Sequence, residues 1–221
     1  KDMITYPVET ITTTVLGTEK ILNFAKNKKC KGMVYLSSME VYGEVEGENE
    51  HRYTEDELGF VDLKSVRSCY PESKRLAECL CKCYSEEYHV PVRIARLAQT
   101  FGTGELDKEN RIFAQLVDCA ITANSFIMHT SGKTYGNYVY ICDAVKAIFL
   151  LLEKGNIGEA YTICNEESTM QVCEMAKMVS SELEGIYFEV VQNANQTLGK
   201  MYAQDTGLKL SSKKMRSLGW N

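Results

Sequence analysis

Strand-like apolar runs alternate with long helical patterns in this chain of 221 residues, and this alternation limits its fold more than any other feature. Residues 8–28 carry apolar side chains at helical spacing, and residues 32–37 form an apolar run that ends in serine. A second long helical pattern covers residues 70–88. Strands joined by helices of this length are typical of crossover units in a parallel sheet. The pattern therefore predicts an α/β fold.

The alternation continues to the end of the chain. Further strands are predicted at residues 91–97, 126–129, 137–141, 160–164 and 187–191. Further helices are predicted at residues 111–123, 144–153 and 169–183, with a short last helix that ends at Trp220. The expected N-caps of the last three helices are Asp143, a capping box formed by Ser168 and Gln171, and Ser211 or Ser212. Residues 44–65, rich in Glu, Gly and Asp, predict a loop.

Composition excludes several classes of partner. The formal charge is −5, and the basic residues are scattered among acidic ones, which argues against nucleic-acid binding. No apolar stretch approaches the roughly 18 residues that a membrane-spanning helix needs. Nine cysteines form an odd number without a regular framework, so we expect reduced thiols in a cytoplasmic protein.

Three of these cysteines, Cys79, Cys81 and Cys83, alternate within the predicted helix 70–88. On a helix only Cys79 and Cys83 share a face, and no histidine lies nearby in the sequence. We therefore expect ordinary thiols and no metal site.

Two short segments point to chemistry. Ser38 lies at the end of the predicted strand 32–37, and Tyr70 precedes Lys74 by four residues at the start of the predicted helix 70–88. Four residues along a helix place two side chains on one face, and a neighbouring ammonium favours the phenolate form of tyrosine. A phenol whose pKa is lowered from about 10 serves acid–base catalysis near neutral pH. These residues therefore predict proton transfer at a substrate hydroxyl, at the edge where doubly wound sheets bind ligands.

The segments that carry these residues, and several others, resemble the extended short-chain dehydrogenase/reductases, which are NAD-dependent nucleotide-sugar epimerases and dehydratases. The similar segments are Ser37–Gly43, Val66–Tyr70 with Lys74, Arg75 and Glu78, Ile94–Arg96 with Phe101 and Gly102, Tyr138–Val145, and Leu218–Trp220. They resemble most the UDP-glucuronate decarboxylases and the dTDP-glucose 4,6-dehydratase branch. The resemblance implies the C-terminal part of a Rossmann-type doubly wound parallel sheet plus a small α+β substrate-binding lobe.

The resemblance also implies a division of the chain. Residues 1–100 would be the remaining half of the dinucleotide-binding domain, with the catalytic residues. Residues 101–221 would form mainly the substrate-binding lobe, and residues 137–153 would return to the Rossmann core.

Catalytic roles follow from the same resemblance. Tyr70 is the expected base that removes the C4 hydroxyl proton of the sugar, and Lys74 is expected to lower its pKa and to contact the nicotinamide ribose. Ser38 is expected to orient the sugar hydroxyl. Glu40 is expected to supply a second catalytic carboxylate, with a solvated loop carboxylate as the alternative.

Binding roles are implied as well. Ser37, together with Tyr70 and Lys74, is expected to bind the cofactor NAD. Gln99, Thr100 and Arg111 are expected to contact the sugar and the diphosphate, with an ordinary surface cation as the alternative for Arg111.

Three departures from the family pattern limit what the resemblance implies. Gly136 stands where many members have an arginine that grips the substrate, and Met39 stands where dehydratases have an aspartate. The glycine-rich turn Gly-x-x-Gly-x-x-Gly, which brings backbone N–H groups to a dinucleotide, occurs nowhere in the chain. We therefore expect a truncated, inactive piece of an enzyme whose cofactor-binding half precedes Lys1.

The implied parent enzyme oxidises C4 of a nucleotide-diphosphate sugar to a ketone and then decarboxylates, dehydrates or epimerises it. Two alternatives stay open, namely a non-catalytic nucleotide-sugar-binding or assembly module and a simple UDP-hexose 4-epimerase. The family further implies a homodimer that pairs through the helices at residues 8–28 and 70–88. Composition predicts neither nucleic acid nor a membrane as a partner.

Overall fold

The helices and strands of the computed structural model follow the alternation that the sequence predicts. The structure describes residues 2–45, 51–103, 111–122, 124–128, 130–182, 190–192 and 206–221. Its helices are α1 (Asp2–Thr5), α2 (Pro7–Lys28), α3 (Cys69–Tyr88), α4 (Ile112–Thr122), α5 (Ile141–Lys154), α6 (Val172–Glu182) and α7 (Lys213–Arg216). Its strands are β1 (Met33–Ser38), β2 (Val92–Leu97), β3 (Gln99–Phe101), β4 (Phe126–Met128), β5 (Tyr135–Tyr140), β6 (Ala160–Ile163), β7 (Asn165–Gln171) and β8 (Val190–Gln192). Short 3₁₀ helices occupy Met39–Tyr42 and Val66–Ser68.

The main sheet is parallel, with the strand order β1-β2-β6. Ser38 at the end of β1 is in register with Leu97 at the end of β2, so the carboxyl ends of both strands reach the same edge. Among the described residues, no strand pairs with the outer side of β1. The carboxyl edge is where doubly wound sheets bind ligands, and it places the segments that follow β1 and β2 side by side.

Helices cover both faces of this sheet. On one face, α2 and α3 pack through Leu22 and Ala77 against the β2 side chains Val92 and Ile94. On the other face, α5 packs against the strands, and its buried residues lie in one cluster with Ala95 and Ile163. Burial on both faces explains why β2 is almost continuously buried rather than alternating. The predicted doubly wound α/β architecture is confirmed.

A smaller unit forms around α4 and α6. A second sheet has the order β3-β5-β7, with β3 and β5 parallel and β5 and β7 antiparallel. A pair of short parallel strands, β4 and β8, completes the unit. Its core contains Leu116 of α4, Tyr138 of β5 and Met175 of α6. This mixture agrees with the expected α+β lobe, whereas the division of the chain at residue 100 stays a prediction.

The expected helix at residues 169–183 is wrong at its beginning. Its first residues belong to β7, and α6 begins at Val172. The ladder with β5, in which Gly136 faces Met170, holds this polar segment extended. The cap is not the Ser168/Gln171 box, because the Glu174 carboxylate accepts a hydrogen bond of 2.9 Å from the Gln171 N–H instead.

Two other helix ends differ from expectation. Asp143 is not an N-cap, because α5 begins at Ile141 and Asp143 lies in its first turn, where a carboxylate is favourable to the helix dipole. The last helix ends at Arg216 rather than Trp220, although turn hydrogen bonds continue to Gly219. Ser212 is at the N-cap position without a side-chain cap, while the Ser211 hydroxyl accepts from the Lys213 N–H at 3.3 Å.

Parts of several predicted elements lie outside the described residues, namely 123, 129, 183 and 187–189, and so does part of the predicted loop at 46–50. Over the described part of the chain, no helix combines the length and apolar character that crossing a membrane requires.

Candidate active site

The carboxyl end of β1 presents two serines in opposite directions. Successive side chains of a strand point to opposite faces, so Ser37 points with Tyr35 towards α3 while Ser38 turns to the other face. Ser38 is extended (φ −140°, ψ 152°) and begins the 3₁₀ helix Met39–Tyr42, where its hydroxyl oxygen accepts a hydrogen bond of 3.2 Å from the Glu40 N–H. This turn holds the Ser38 hydroxyl and the Glu40 side chain at the same edge of the sheet.

Tyr70 is the second residue of α3, and its ring lies beside Ser38. Pro71 is buried in the first turn, where a missing N–H costs nothing, and the helix leaves Tyr70 at its mouth. The Ser38 side chain lies close enough to the Tyr70 phenol to lower its pKa. The structure therefore brings together two residues that lie 32 positions apart, as the sequence predicts.

The expected lowering of the Tyr70 pKa is wrong for this chain. Burial raises the pKa of Tyr70, the Ser38 side chain lowers it, the Glu40 charge raises it and the Arg67 charge lowers it, with a net shift upwards. The Lys74 ammonium lies 5.8 Å from the Tyr70 ring centroid and donates its hydrogen bond of 2.8 Å to the Leu36 carbonyl oxygen. Burial also lowers the pKa of Lys74. Tyr70 is thus a neutral phenol at neutral pH.

Glu40 forms an ion pair with Arg67. The Arg67 Nη2 atom lies 3.1 Å from each carboxylate oxygen of Glu40. The two side chains are 30 and 31% exposed, so the pair faces solvent at the site and is not part of the core. Glu40 is therefore not the freely solvated loop carboxylate of the alternative reading. Arg67 received no role from the sequence, although its position three residues before Tyr70 was a usable signal.

A buried ion pair lies behind β1. Arg96 of β2 binds Glu78 of α3 through Nε and through Nη2, the latter at 2.8 Å, and both side chains are buried. The Ser37 hydroxyl donates a hydrogen bond of 2.5 Å to the same carboxylate. The structure gives Ser37 this internal partner, and its role in cofactor binding stays a prediction.

The predicted substrate residues lie along the neighbouring strand. Gln99 and Thr100 begin β3, just beyond the end of β2, and Gln99 is exposed. Arg111 donates a hydrogen bond of 3.1 Å to the Thr100 carbonyl oxygen, so these three residues are close together. They follow Leu97, the register partner of Ser38, and therefore extend the same sheet edge. Their contact with a sugar or a diphosphate stays a prediction.

The position that lacks the family arginine is sterically closed. A Cβ atom at Gly136 would lie 2.0 Å from the Tyr138 hydroxyl oxygen, well inside van der Waals contact. A side chain at position 136 would thus require Tyr138 to move.

The cysteines of α3 are arranged as the helical spacing predicts. Cys79 and Cys83 are exposed, whereas Cys81 is buried. Within the described ranges, no group of three or more histidine, cysteine or acidic side chains is arranged to hold a metal ion.

Comparison with known proteins gives consistent matches. A model of the NAD dependent epimerase/dehydratase family matches residues 1–164. The UDP-glucuronic acid decarboxylase 1 of Danio rerio is 30% identical over 175 residues, which are 79% of this chain and 40% of that protein. The UDP-glucuronic acid decarboxylase 4 of Arabidopsis thaliana is 32% identical over 178 residues, 80% of this chain and 39% of its own length. The chain thus spans about 40% of the length of these relatives.

Solved structures share the fold. A UDP-glucose 4-epimerase of Thermotoga maritima superposes with a TM-score of 0.83 at 20% identity, covering 99% of this chain and 67% of that one. A dTDP-glucose 4,6-dehydratase of Bacillus anthracis gives a TM-score of 0.75 at 21% identity, covering 96% and 63%. Because the family model matches residues 1–164 of the 221 in this chain, the chain belongs to the NAD dependent epimerase/dehydratase family.

Proposed function

We propose that this chain carries the acid–base half of an NAD-dependent enzyme that modifies nucleotide-diphosphate sugars. The observation that carries the proposal is the contact between Ser38 and Tyr70 at the carboxyl edge of the sheet, with Lys74 one turn further along α3. The parent reaction would oxidise C4 of the sugar to a ketone and then decarboxylate, dehydrate or epimerise it.

The residues of the chain fit one end of a nicotinamide dinucleotide. Lys74 holds a partly buried ammonium at the open side of β1, on the same helix face as Tyr70, which suits the hydroxyls of a ribose. When bound, the dinucleotide supplies the hydride acceptor. The glycine-rich turn that would hold its pyrophosphate is not in these 221 residues. We therefore propose that the chain alone neither binds NAD tightly nor turns over.

Tyr70 and Ser38 would handle the proton of the sugar hydroxyl. The Ser38 hydroxyl orients the substrate oxygen, and the phenolate form of Tyr70 accepts its proton. Because the pKa of Tyr70 is raised in the chain alone, base catalysis requires additional positive charge beside the phenol. A bound nicotinamide ring, which carries a positive charge, would supply it.

Decarboxylation is the reaction that we favour. Glu40 places a carboxylate beside Tyr70, which supports chemistry beyond C4 oxidation, and the matched decarboxylases of fish and plant are about 30% identical. Met39 provides no acid for classical 4,6-dehydration. The substrate would then be a UDP-sugar with a C6 carboxylate. A simple 4-epimerase, which would depend little on Glu40, is the weaker alternative.

A binding or assembly module is the second candidate. The raised pKa of Tyr70 and the absence of a glycine-rich turn from the sequence both disfavour redox catalysis by this chain. Neither prevents a sugar nucleotide from binding, so both favour this candidate. Retention of Ser38, Tyr70 and Lys74 favours the enzyme, because binding alone does not need all three.

Calorimetry and a reduction assay separate these functions. The chain is titrated with UDP-glucuronate, with UDP and with NAD, and the absorbance of reduced nicotinamide is followed with sugar and NAD present. We expect binding of UDP-glucuronate, weak or no binding of NAD, and no reduction. Lack of UDP-sugar binding would contradict the proposed substrate, and reduction by the chain alone would contradict its inactivity.

The same titration on variants tests the site. Ser38→Ala and Tyr70→Phe should weaken UDP-glucuronate binding, because each loses a hydroxyl that meets the sugar. Ser180→Ala, on the exposed side of α6, is the matched control. Equal affinity in all three variants would place the sugar elsewhere.

A further inference from the structure

We propose that Arg67 is a positioning residue that holds the Glu40 carboxylate beside Tyr70 and cancels its charge, so that the site accepts a sugar bearing its own carboxylate. The proposal rests on the proposed function for the identity of the substrate. The electrostatic part of it concerns only residues of this chain and can be tested without any substrate.

Arg67 is held from two sides. Its Nη2 atom contacts both oxygens of Glu40 at 3.1 Å, and its Nη1 atom lies 3.4 Å from the sulfur of Met3 in α1. The 3₁₀ helix that carries Arg67 is itself anchored, because the Ser68 hydroxyl donates a hydrogen bond of 2.5 Å to the Asp62 carbonyl oxygen. The guanidinium is therefore placed by its surroundings, and the carboxylate is placed by the guanidinium.

The pair links the two segments that form the site. Glu40 belongs to the 3₁₀ helix that Ser38 begins, and Arg67 belongs to the 3₁₀ helix that leads into Tyr70. The two charges act in opposite directions on the pKa of Tyr70, and they also act in opposite directions on that of Cys69. Tyr70 thus senses both members of the pair, and loss of either one leaves a net charge next to the phenol.

The contrast with the second arginine–glutamate pair shows why this pair is more than a structural clamp. Arg96 and Glu78 are 7 and 10% exposed, and Ser37 uses a further position on the carboxylate. Arg67 and Glu40 are 30 and 31% exposed and open onto the site. An ion pair at the surface contributes little to the free energy of unfolding. Stability therefore does not explain why this pair lies beside the Tyr70 phenol, and a role at the site does.

Substrate choice follows from charge. An unpaired Glu40 would repel a sugar carboxylate and oppose formation of the Tyr70 phenolate, whereas the paired carboxylate does neither to the same extent. Position 136, where an arginine could have met the substrate, is closed by Tyr138. The cation next to Tyr70 is instead Arg67, on the segment that leads into α3, and its pairing with Glu40 leaves no net negative charge there.

The first test is a pH titration of Tyr70 in the full chain without ligand, by NMR of tyrosine labelled at the ring carbon. Tyr70→Phe identifies its signal among the 13 tyrosines. Ser38, Glu40 and Arg67 shift the pKa of the phenol, and the Lys74 ammonium and the Tyr35 phenol also lie near it. We expect the titration to move to higher pH in Arg67→Met, to lower pH in Glu40→Gln, and to stay near the wild type in Arg67→Lys. An unchanged titration in Arg67→Met would overturn the positioning role.

The second test compares the affinity for UDP-glucuronate with that for UDP-glucose. We expect Arg67→Met to weaken binding of the carboxylated sugar by roughly fivefold relative to the neutral one, and Arg67→Met combined with Glu40→Gln to restore the ratio. Lys146→Met, which removes the exposed pair with Asp143, is the matched control. An unchanged ratio in Arg67→Met would overturn the specificity role.

The two readouts distinguish failure of this inference from failure of the proposed function. If neither sugar nucleotide binds, the proposed substrate is wrong, and the Tyr70 titration still decides whether Arg67 acts on the phenol through Glu40. Thermal unfolding followed by circular dichroism establishes that each variant is folded. If Arg67→Met does not fold, Glu40→Gln keeps the test valid, because an unchanged Tyr70 titration in that variant would also overturn the role.

Discussion

The Lys74 ammonium donates a hydrogen bond of 2.8 Å to the carbonyl oxygen of Leu36, on the side of β1 that no described strand covers. This contact fastens α3 to the margin of the sheet. The hydrogen bond of the Lys74 ammonium thus goes to the backbone, while the ammonium lies 5.8 Å from the Tyr70 ring centroid.

Lys74→Met should therefore lower the free energy of unfolding by about 1 kcal/mol, the usual net value of one hydrogen bond, without moving the Tyr70 titration. Urea unfolding and the NMR titration measure the two effects. Lys82→Met, which removes an exposed pair with Glu86 on the same helix, is the control for loss of a lysine. A clear upward shift of the Tyr70 pKa in Lys74→Met would contradict this account.

Tyr138 and Tyr42 should respond in opposite ways to loss of their hydroxyls. Both are fully buried, but the Tyr42 hydroxyl lies 2.5 Å from that of Thr162, whereas the Tyr138 hydroxyl has no hydrogen-bond partner among the described residues. Tyr42→Phe should cost about 1 kcal/mol, and Tyr138→Phe should be neutral or stabilising by a similar amount. Urea unfolding of both variants measures this, and equal destabilisation would show that Tyr138 has a partner.

Two buried cysteine thiols and one buried tyrosine phenol predict a loss of stability at alkaline pH. Burial raises the pKa of Cys164 and of Cys81 from 9.0 to about 12, and that of Tyr42 from 10.0 to about 12. Above the unfolded-state pKa the unfolded chain releases these protons while the folded chain retains them, so unfolding becomes easier. The free energy of unfolding should be constant with respect to these groups below about pH 9 and fall as the pH rises towards 12, by up to about 1.4 kcal/mol per pH unit for each group.

Urea unfolding at a series of pH values tests this dependence. Cys164→Ala should flatten the fall that begins near the thiol pKa, and Cys79→Ser, at an exposed position, should leave it unchanged. Stability that does not change between about pH 9 and pH 11 would contradict burial of these thiols.

The buried pair between Arg96 and Glu78 should be costly to break. Arg96→Met leaves Glu78 as an unpaired buried carboxylate, and we expect a loss of about 3–5 kcal/mol. Lys82→Met should cost less than about 1 kcal/mol, because its partner Glu86 is exposed. Similar losses in the two variants would mean that water reaches the Glu78 carboxylate.

The proposed homodimer through α2 and α3 gives a further prediction. Although the two helices pack on each other, Leu16, Phe24 and Leu76 remain 50, 57 and 50% exposed. Phe24→Glu should shift the chain towards monomer in sedimentation velocity, because a carboxylate would be buried in an apolar interface. Phe149→Glu, at a 66% exposed position of α5, is the control, and an equal effect of both variants would place the interface elsewhere.

Much of the fold could be predicted from local patterns. The apolar run at 32–37 identified a strand of the main sheet, and the helical spacings at 8–28 and 70–88 identified two helices that cover it, because burial on a regular backbone leaves a period in the sequence. β7 was missed because Asn165–Gln171 is polar and has no such period, and only its ladder with β5 holds it extended.

The candidate site was likewise predictable in part. The proximity of Ser38 and Tyr70 was predictable, because both lie at ends of elements that meet at one edge of the sheet. The partners of Glu40 and Lys74 were not, because Arg67 and the Leu36 carbonyl are reached through side-chain orientation and tertiary packing that spacing alone does not encode.

The outer side of β1, with which no described strand pairs, also bears on how the chain behaves in concentrated solution. Peptide groups on the outer side of such a strand are a template for another extended segment. Leu36 is 46% exposed at this margin, so apolar surface lies beside these peptide groups. The Lys74 ammonium binds the Leu36 carbonyl oxygen and adds a positive charge there, so we expect Lys74→Met to shorten the time for which a concentrated solution stays dispersed.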